Sequence, residues 1–368
     1  MSVKVCHLTS IHPPFDTRIF VKECSSLARA GFDVSLIAVD VVEEQRNGVR
    51  ILNVPSAGKG RLSRMLFTTR KVYQKALKEN ARIYHFHDPE LIPVALKLLK
   101  KGKKVVYDVH EDIPRQILAK YYIPVVLRKA ISWFTERLEN YAAKKFSAII
   151  TATPHIRDRF LKLNRNVVEV CNFPVPDELY SGGRVRPEQP EMCYIGSITR
   201  ARGIVEMIKA LDGVPYRFNL CGTFSPESLR DEVTSLPGWK QVHEYGFASR
   251  SEVKEVLSRS SAGLVTLHPI INYLDAYPVK MFEYMASGVA VISSDIPLWK
   301  SFIDETGAGV CVDPLHPEAI RKAMLQLMSD PDLASKMGEK GRRAVTTKYN
   351  WAEEEKKLLT VYKMLASS

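Results

Sequence analysis

The sequence predicts an α/β fold made of two doubly wound parallel sheets, and three observations predict it. Short apolar runs alternate with longer segments of helical period over the whole chain. The runs lack the polar alternation of a half-exposed strand, so both faces need cover, and helices joining parallel strands supply it. The alternation breaks once, at a Pro- and Gly-rich stretch over 173–191, and then restarts as a second unit of similar size. A chain of 368 residues fits two domains of about 150 residues each.

In the first half, strands are read at 3–8, 32–39, 50–54, 81–86, 104–109, 147–152 and 167–172. A helix through 18–31, a basic helix before residue 81 and a helix at 89–99 join the early ones. In the second half, strands are read at 192–196, 216–222, 241–246, 262–267, 289–294 and 308–312. Three helices, 316–329, 332–348 and 351–366, close the chain, with a break at Tyr349-Asn350-Trp351 before the last. The expected domains are 1–172 and 192–350, with 173–191 as linker, facing each other across a cleft. Ligands bind such sheets at the carboxyl ends of the strands, so residues just after strands are the candidates.

Hydrophobic residues make up 45% and charged residues 26%, the balance of a soluble globular protein. No apolar run approaches the ~20 residues that span a bilayer, and the N-terminus lacks the pattern of a secretory signal. A cytoplasmic location is therefore expected. The six cysteines (6, 24, 171, 193, 221 and 311) form no C-x-x-C pair and read as reduced, mostly buried thiols. Net charge is +12, but residues 1–175 carry 30 Lys/Arg against 16 Asp/Glu, so the whole excess lies in the first half. Such a half suits an anionic membrane surface, a phosphorylated acceptor or nucleic acid.

The stretch 275–297, DAYPVKMFEYMASGVAVISSDIP, is the most informative. Pro278 fits the first turn of a helix over 278–287 that stops at Gly288 and feeds the next strand. The free N–H groups of that helix start face the cleft and suit a phosphate. Lys280 in the first turn opposes the helix dipole, which an anion in the cleft would explain. Glu283, one turn on, could accept hydrogen bonds from two ribose hydroxyls. The bland alternative is a solvated helix face.

Asp275…Glu283-Tyr-Met-Ala-Ser-Gly-Val-Ala-Val-Ile-Ser-Ser resembles the signature of the retaining GT-B glycosyltransferases, specifically glycosyltransferase family 4: an acid, seven residues, Glu, then A-M-A-x-G-x-P-V-I-A-S. Cys193-Tyr-Ile-Gly-Ser-Ile-Thr-Arg-Ala-Arg-Gly203 resembles that family's start of the second domain. Tyr107-Asp-Val-His-Glu111 resembles the strand end bearing its active-site histidine. The segments Ser10–Phe20 and His87-Asp-Pro-Glu-Leu91 resemble a polysaccharide-synthesis subgroup. The resemblance covers essentially the whole chain and implies two Rossmann-like domains, the last helix packing back on the first through Trp351, Leu358, Leu359, Tyr362 and Leu365. It further implies that Glu283 binds the nucleotide ribose, that Asp275 contacts the donor sugar and that His110 lines its pocket. The backbone from Ala276 to Lys280, through Tyr277, Pro278 and Val279, would cradle the diphosphate, Gly196 would be a further donor-binding residue, and Arg202 stands where the family places its diphosphate-binding lysine. The donor is a UDP-sugar or, as main competitor, a GDP-sugar.

Two departures stand out. Ser197 occupies the position where family members carry Arg, with Arg200 as the candidate substitute. The family's Gly-Gly loop after the first strand is replaced by Pro14-Phe-Asp-Thr-Arg18. There Asp16 either caps the helix opening at Thr17 or orients an acceptor hydroxyl. Arg18 either binds an acceptor phosphate or pairs with Asp16. No metal and no cofactor beyond the donor are expected, because no Asp-x-Asp motif is read in the chain. His85 and His87 are expected on opposite faces of their strand, which speaks against a metal site built with His110, Glu111 and Asp112. Cations and helix N–H groups must then stabilise the departing diphosphate.

Segment 59–82 holds eight Lys/Arg and one Glu, with Leu62, Met65, Leu66, Thr69, Val72, Tyr73 and Ala76 at helical spacing. It reads as a basic amphipathic helix for an anionic membrane surface on the inner face of the plasma membrane, and 119–146, with Tyr121, Tyr122, Ile123 and Trp133, is a second candidate. Alternatively both stripes pack on the first sheet. The expected activity is retaining transfer of a hexosyl unit to a glycan or polyprenyl-diphosphate-linked acceptor in cell-surface polysaccharide synthesis. The alternatives are a catalytically silent sugar-nucleotide binder, favoured by Ser197, and a nucleic-acid-binding protein, which accounts for the charge but shows no recognition motif.

Overall fold

The computed structural model describes residues 2–56, 58, 60, 63–120, 123–183 and 189–367. The chain forms two compact units, Met1–Asn172 with Ala352–Ser368, and Phe173–Trp351. Both are Rossmann-like, and together they constitute the GT-B fold.

The first unit carries β1 (Lys4–Leu8), β2 (Asp33–Val39), β3 (Glu44–Arg46), β4 (Val49–Val54), β5 (Ile83–Phe86), β6 (Lys104–Val109), β7 (Ala148–Thr151) and β8 (Val167–Glu169). Their order is β3-β4-β2-β1-β5-β6-β7-β8, and every pairing is parallel except β3 with β4. The strand order reverses between β1 and β5, the switch point at which such sheets open a crevice. β3 was not expected: Glu44-Gln45-Arg46 is exposed and polar, without an apolar face to betray an edge strand. β8 ends earlier than expected because Val170 and Asn172 turn their carbonyls to Arg18 (2.8 Å) and Lys22 (3.3 Å).

The second unit carries β9 (Glu191–Ile195), β10 (Arg217–Cys221), β11 (Val242–Gly246), β12 (Ser260–Val265), β13 (Ala290–Ser294) and β14 (Gly309–Val312), in the order β11-β10-β9-β12-β13-β14, all parallel. Here the switch point lies between β9 and β12. The helix Val279–Ala286 packs close to β12 because Gly263 has no side chain: a Cβ there would lie 2.4 Å from the Tyr284 ring. The ring is thereby placed so that its hydroxyl accepts from the Ile195 backbone N–H at 3.0 Å, fixing the end of β9.

Residues 173–183 are docked on the second unit rather than loose. Phe173 packs at a tilt against Phe282 and edge-on against Tyr349 (centroids 4.7 and 5.5 Å), and the Arg342 guanidinium covers Tyr180 at 3.3 Å. The last helix, Trp351–Ser367, buries Leu358, Tyr362 and Leu365. All six cysteines are free of disulfides.

The amphipathic stripe of 59–82 divides. Lys59, Arg61 and Leu62 lie outside the described residues, as do Tyr121 and Tyr122. Thr69, Val72 and Ala76 pack inward, whereas Met65 and Leu66 face out. The helix Val125–Ala143 is turned the other way round: it buries Ser132, Glu139, Ala142 and Ala143 and leaves Val126 at 82%, Phe134 at 65% and Trp133 at 58% exposure. Its polar face turns inward because Glu139 accepts from Arg159 (2.6 Å) and the Tyr107 hydroxyl (2.8 Å), while Ser132 donates to the Pro114 carbonyl. No described helix is long and apolar enough to cross a membrane.

Candidate active site

At the switch point of the second unit, two cations converge on Gly196. A Cβ built on this glycine would lie 3.3 Å from Lys280 Nζ and 3.4 Å from Arg202 Nη1, and its φ of +126° is what favours glycine there. Lys280 is buried, its Nζ has no hydrogen-bond partner, and it stands 3.8 Å above the Tyr194 ring centre. Burial, and then the charge of Arg202, push its amine well below the usual lysine range. Arg202 donates to the Ser197 carbonyl at 3.3 Å. Two cationic side chains held together in a low-dielectric setting repel each other, and the carboxylate that acts on Lys280, Glu283, is itself bonded to Arg250, which is the electrostatic character of an anion site.

The loop before the helix Val279–Ala286 is held by a contact that sequence reasoning missed. Trp299 Nε1 donates to the Ala276 carbonyl at 2.7 Å. Tyr277 turns its ring toward Phe173 and Phe282, so that side chain is part of the packing of its own unit. Pro278 caps the helix, and the Val279 and Lys280 amides at its start are the free N–H groups. Asp275 closes the short helix Ile271–Leu274 and is half-buried. Glu283 accepts from Arg250 Nη1 at 2.9 Å, and Arg250 reaches Glu178 through Nε at 2.8 Å. Arg200 points elsewhere: it is exposed and paired with Glu232, so Arg202 and Lys280, not Arg200, make the cationic pair. Ser197 is exposed and contributes its carbonyl to Arg202.

At the switch point of the first unit lies a buried polar cluster. Asp108, at the end of β6, receives Arg18 through two bonds, Nε to Oδ2 at 2.9 Å and Nη2 to Oδ1 at 2.7 Å. His110 Nε2 reaches Asp108 Oδ2 at 2.6 Å and His87 Nδ1 reaches it at 3.1 Å. Burial would raise the Asp108 carboxyl, but Arg18 first and His110 next hold it well below the usual carboxylate range. Glu23, in contrast, is pushed well above that range by burial and by Asp108, and sits 3.2 Å from Arg18.

This corrects the reading of Arg18. Its Nε and one Nη group are committed to Asp108, the other Nη donates to Val170, and the side chain is 4% exposed, so it binds neither an acceptor phosphate nor Asp16. Asp16 caps its helix, one oxygen accepting from the Arg18 and Ile19 amides at 2.9 Å each, while the other faces His12 at 3.6 Å. The replaced Gly-Gly loop is held by side chains: Asp88 Oδ2 accepts from Thr9 Oγ1 (2.8 Å) and the Ser10 amide (2.6 Å).

The expectation for His85 and His87 is also corrected. Residues two apart in a strand share a face, and the two rings stack with centroids 4.6 Å apart. His7, Glu23, His85 and His87, and separately His87, Asp108 and His110, offer ligand atoms within 4.8 Å of one another, so these are the described residues that could hold a cation. Asp330-Pro331-Asp332 does read Asp-x-Asp, but Asp330 caps a helix, accepting from Leu333 N at 2.9 Å.

Two family models match the chain: "Glycosyltransferase Family 4" over residues 18–176 and "Glycosyl transferases group 1" over 180–344. Among curated relatives, a D-rhamnosyltransferase of Pseudomonas aeruginosa is 25% identical over 261 residues, a match covering 69% of this chain and 66% of the relative, about two thirds of its length. Among solved structures, a sucrose-phosphate synthase from Thermosynechococcus elongatus superposes with a TM-score of 0.79 at 17% identity, covering 100% of both chains. Anabaena HepE in complex with UDP-glucose superposes at 0.73 with 12% identity, covering 99% of this chain and 100% of that one. With the GT-B fold, the two matched models and the signature from Asp275 to Ser294, the chain belongs to the GT-B glycosyltransferases of family 4 type.

Proposed function

We propose that this protein transfers a hexosyl unit from a nucleotide-diphosphate sugar, with retention of anomeric configuration, to a glycan or lipid-linked glycan acceptor. The observation that carries this is Lys280: a buried amine without a partner, beside Arg202, at the start of a helix. A diphosphate supplies the hydrogen-bond acceptor that the Lys280 amine lacks and offsets its repulsion from Arg202. As the anomeric C–O bond breaks, an oxocarbenium-like centre forms and negative charge gathers on the leaving phosphate. Lys280, Arg202 and the Val279 and Lys280 amides stabilise that charge without a metal. The leaving phosphate oxygen accepts the acceptor's proton, so no strong enzymic base is needed. Glu283 takes the ribose hydroxyls, Asp275 the region of the reacting carbon, and His110 the sugar's hydroxyls. UDP is the favoured nucleotide, since the similar Anabaena HepE is seen with UDP-glucose.

The excess positive charge of the first half and the outward apolar face of Val125–Ala143, flanked by Lys129, Arg137, Lys144 and Lys145, support docking on an anionic lipid surface, where a polyprenyl-diphosphate glycan would be met. A second reading, a sugar-nucleotide binder without transfer, gains support from Arg200, which pairs with Glu232 instead of replacing the family arginine at Ser197.

A thermal-shift screen over UDP, GDP and their sugars tests binding: at a hundred times its dissociation constant a ligand adds about 2.7 kcal/mol. Transfer to a lipid-linked acceptor, with the product anomer read by NMR, separates the two readings. Stabilisation without transfer favours the silent binder, and no stabilisation by any nucleotide overturns both.

A further inference from the structure

We propose that Tyr362, on the last helix, orients His110 through a one-way hydrogen-bond chain, Tyr362–His7–His87–Asp108, and is a positioning residue for glycosyl transfer. The proposal rests on the role assigned to His110 above.

The polarity of the chain follows from its fixed end. Asp108 is an ionised carboxylate clamped by Arg18 and can only accept. His87 Nδ1, at 3.1 Å, and His110 Nε2, at 2.6 Å, must therefore both donate to Oδ2. Their 3.3 Å separation is that of two donors converging on one oxygen. His87 is buried, and burial outweighs the pull of Asp108 and Asp88 and holds it below the usual histidine value, so its ring is neutral and Nε2 bears a lone pair. His7 Nδ1, 3.0 Å away, must donate to it. His7 is neutral for the same reason of burial, so its Nε2 is an acceptor, and the Tyr362 hydroxyl at 3.2 Å donates. With its proton so committed, the Tyr362 oxygen accepts from His85 Nδ1 at 2.7 Å. The chain ends at His85 Nε2, a buried nitrogen without a hydrogen-bond partner. In this direction that nitrogen carries a lone pair. The reverse direction would place an orphaned N–H there, the rarer of the two faults in protein interiors, and would require a charged His87.

The consequence is that His7, His85 and His87 are all Nδ1–H tautomers, the form that is the minority in water. Asp108 imposes it on His87 and through His87 on His7, and one phenol hydroxyl, donating to His7 and accepting from His85, extends it to His85. Without that hydroxyl His7 Nε2 loses its donor, the His7 ring loses the bond that fixes its position, and the His87 ring that accepts from it is free to turn away from Asp108. Asp108 Oδ2 then loses one of the bonds that set its position, and His110, 19% exposed and tied to that oxygen, loses its single orientation.

The test is long-range proton–nitrogen NMR of the full chain labelled at histidine nitrogen. Expected are three neutral Nδ1–H rings assigned to His7, His85 and His87. An Nε2–H tautomer at His7 or His87, or a cationic His87, overturns the chain. In steady-state kinetics Tyr362→Phe is expected to lower kcat about ten-fold, the scale on which groups that orient another histidine act, with the donor KM unchanged. Leu365→Ala loosens the same helix without touching the chain and is expected to keep kcat and all three tautomers. If it lowers kcat as much as Tyr362→Phe, the positioning role is overturned. If His110→Ala leaves kcat intact, the assigned role of His110 fails and the positioning claim with it, while the tautomers still decide the chain itself.

Discussion

Lys280 Nζ faces the Tyr194 ring at 3.8 Å and Arg202 stands beside it, so the amine is surrounded by an aromatic face and a like charge, without a hydrogen-bonding partner. Burial pushes the Tyr194 hydroxyl up to about 12, so the ring stays neutral at physiological pH and offers only its quadrupole. Such an arrangement costs stability in the empty protein and is relieved by an anion. Lys280→Met, which keeps the length and removes the charge, is expected to raise the Tm of the unliganded protein. It is also expected to lower kcat by ~10²–10³-fold, the usual loss when one donor to a developing oxyanion is removed. Calorimetry without ligand and a transfer assay check the two arms, and a fall in Tm would contradict the first.

Glu283 is occupied by Arg250, so a ribose bound there as proposed would have to displace that guanidinium. The Arg250 side chain is 46% exposed, and exposed ion pairs contribute ~0.2–1 kcal/mol. Arg250→Met is therefore expected to tighten UDP binding by at most about five-fold. Glu283→Ala should weaken it despite freeing the same arginine. Titration calorimetry with UDP reads both, and weaker binding by Arg250→Met would make that arginine a nucleotide contact instead.

His7, His85 and His87 are held neutral by burial, each below the usual histidine value. The unfolded chain takes up their protons below pH ~6.5, where the native state does not, so stability falls as pH drops through that value. Three protons set a ceiling of about 4 kcal/mol per pH unit. Glu23, whose carboxyl burial and Asp108 push well above the usual range, acts in the opposite sense. Urea unfolding at pH 7 and pH 5.5 should show the loss, and His85→Gln should reduce the slope by up to about 1.4 kcal/mol per unit. A slope unchanged by that variant would mean that His85 is charged in the folded protein.

Trp133 and Phe134 lie on the outward face of the helix Val125–Ala143. Replacing both by alanine is expected to leave Tm within about 0.5 kcal/mol of the parent, as exposed sites do. The same pair should abolish flotation with vesicles containing anionic lipid, and high salt should weaken the parent's flotation through its lysines and arginines. Retained flotation by the double variant would move the contact elsewhere on the basic half.

The strands and the helix Val279–Ala286 were legible in sequence because parallel strands covered on both faces read as unbroken apolar runs such as Ala148–Thr151 and Ala290–Ser294. Glu44–Arg46 carries no such signal, since an edge strand is selected to be polar. The site around Lys280 was visible as a cation where the helix dipole disfavours one. Arg18 was not, because its partner Asp108 is ninety residues away in sequence and a buried guanidinium looks the same in a string of letters as an exposed one. Trp299 and Tyr362 were hidden for a related reason. Each fits an apolar stripe, and the polar tip that holds Ala276 or His7 leaves no trace in the periodicity.

Because Ala352–Ser368 belongs with Met1–Asn172, the unit begun first is finished last. During synthesis the Phe173–Trp351 unit is contiguous and can reach its native state while the earlier unit still lacks the helix that covers His7 and His85 with Tyr362. Those histidines then wait near Asp108, wet and free to titrate, until the helix that carries Tyr362 has emerged. Proteolytic sensitivity of ribosome-arrested chains should therefore disappear from the N-terminal half only when residues 352–367 are clear of the ribosome.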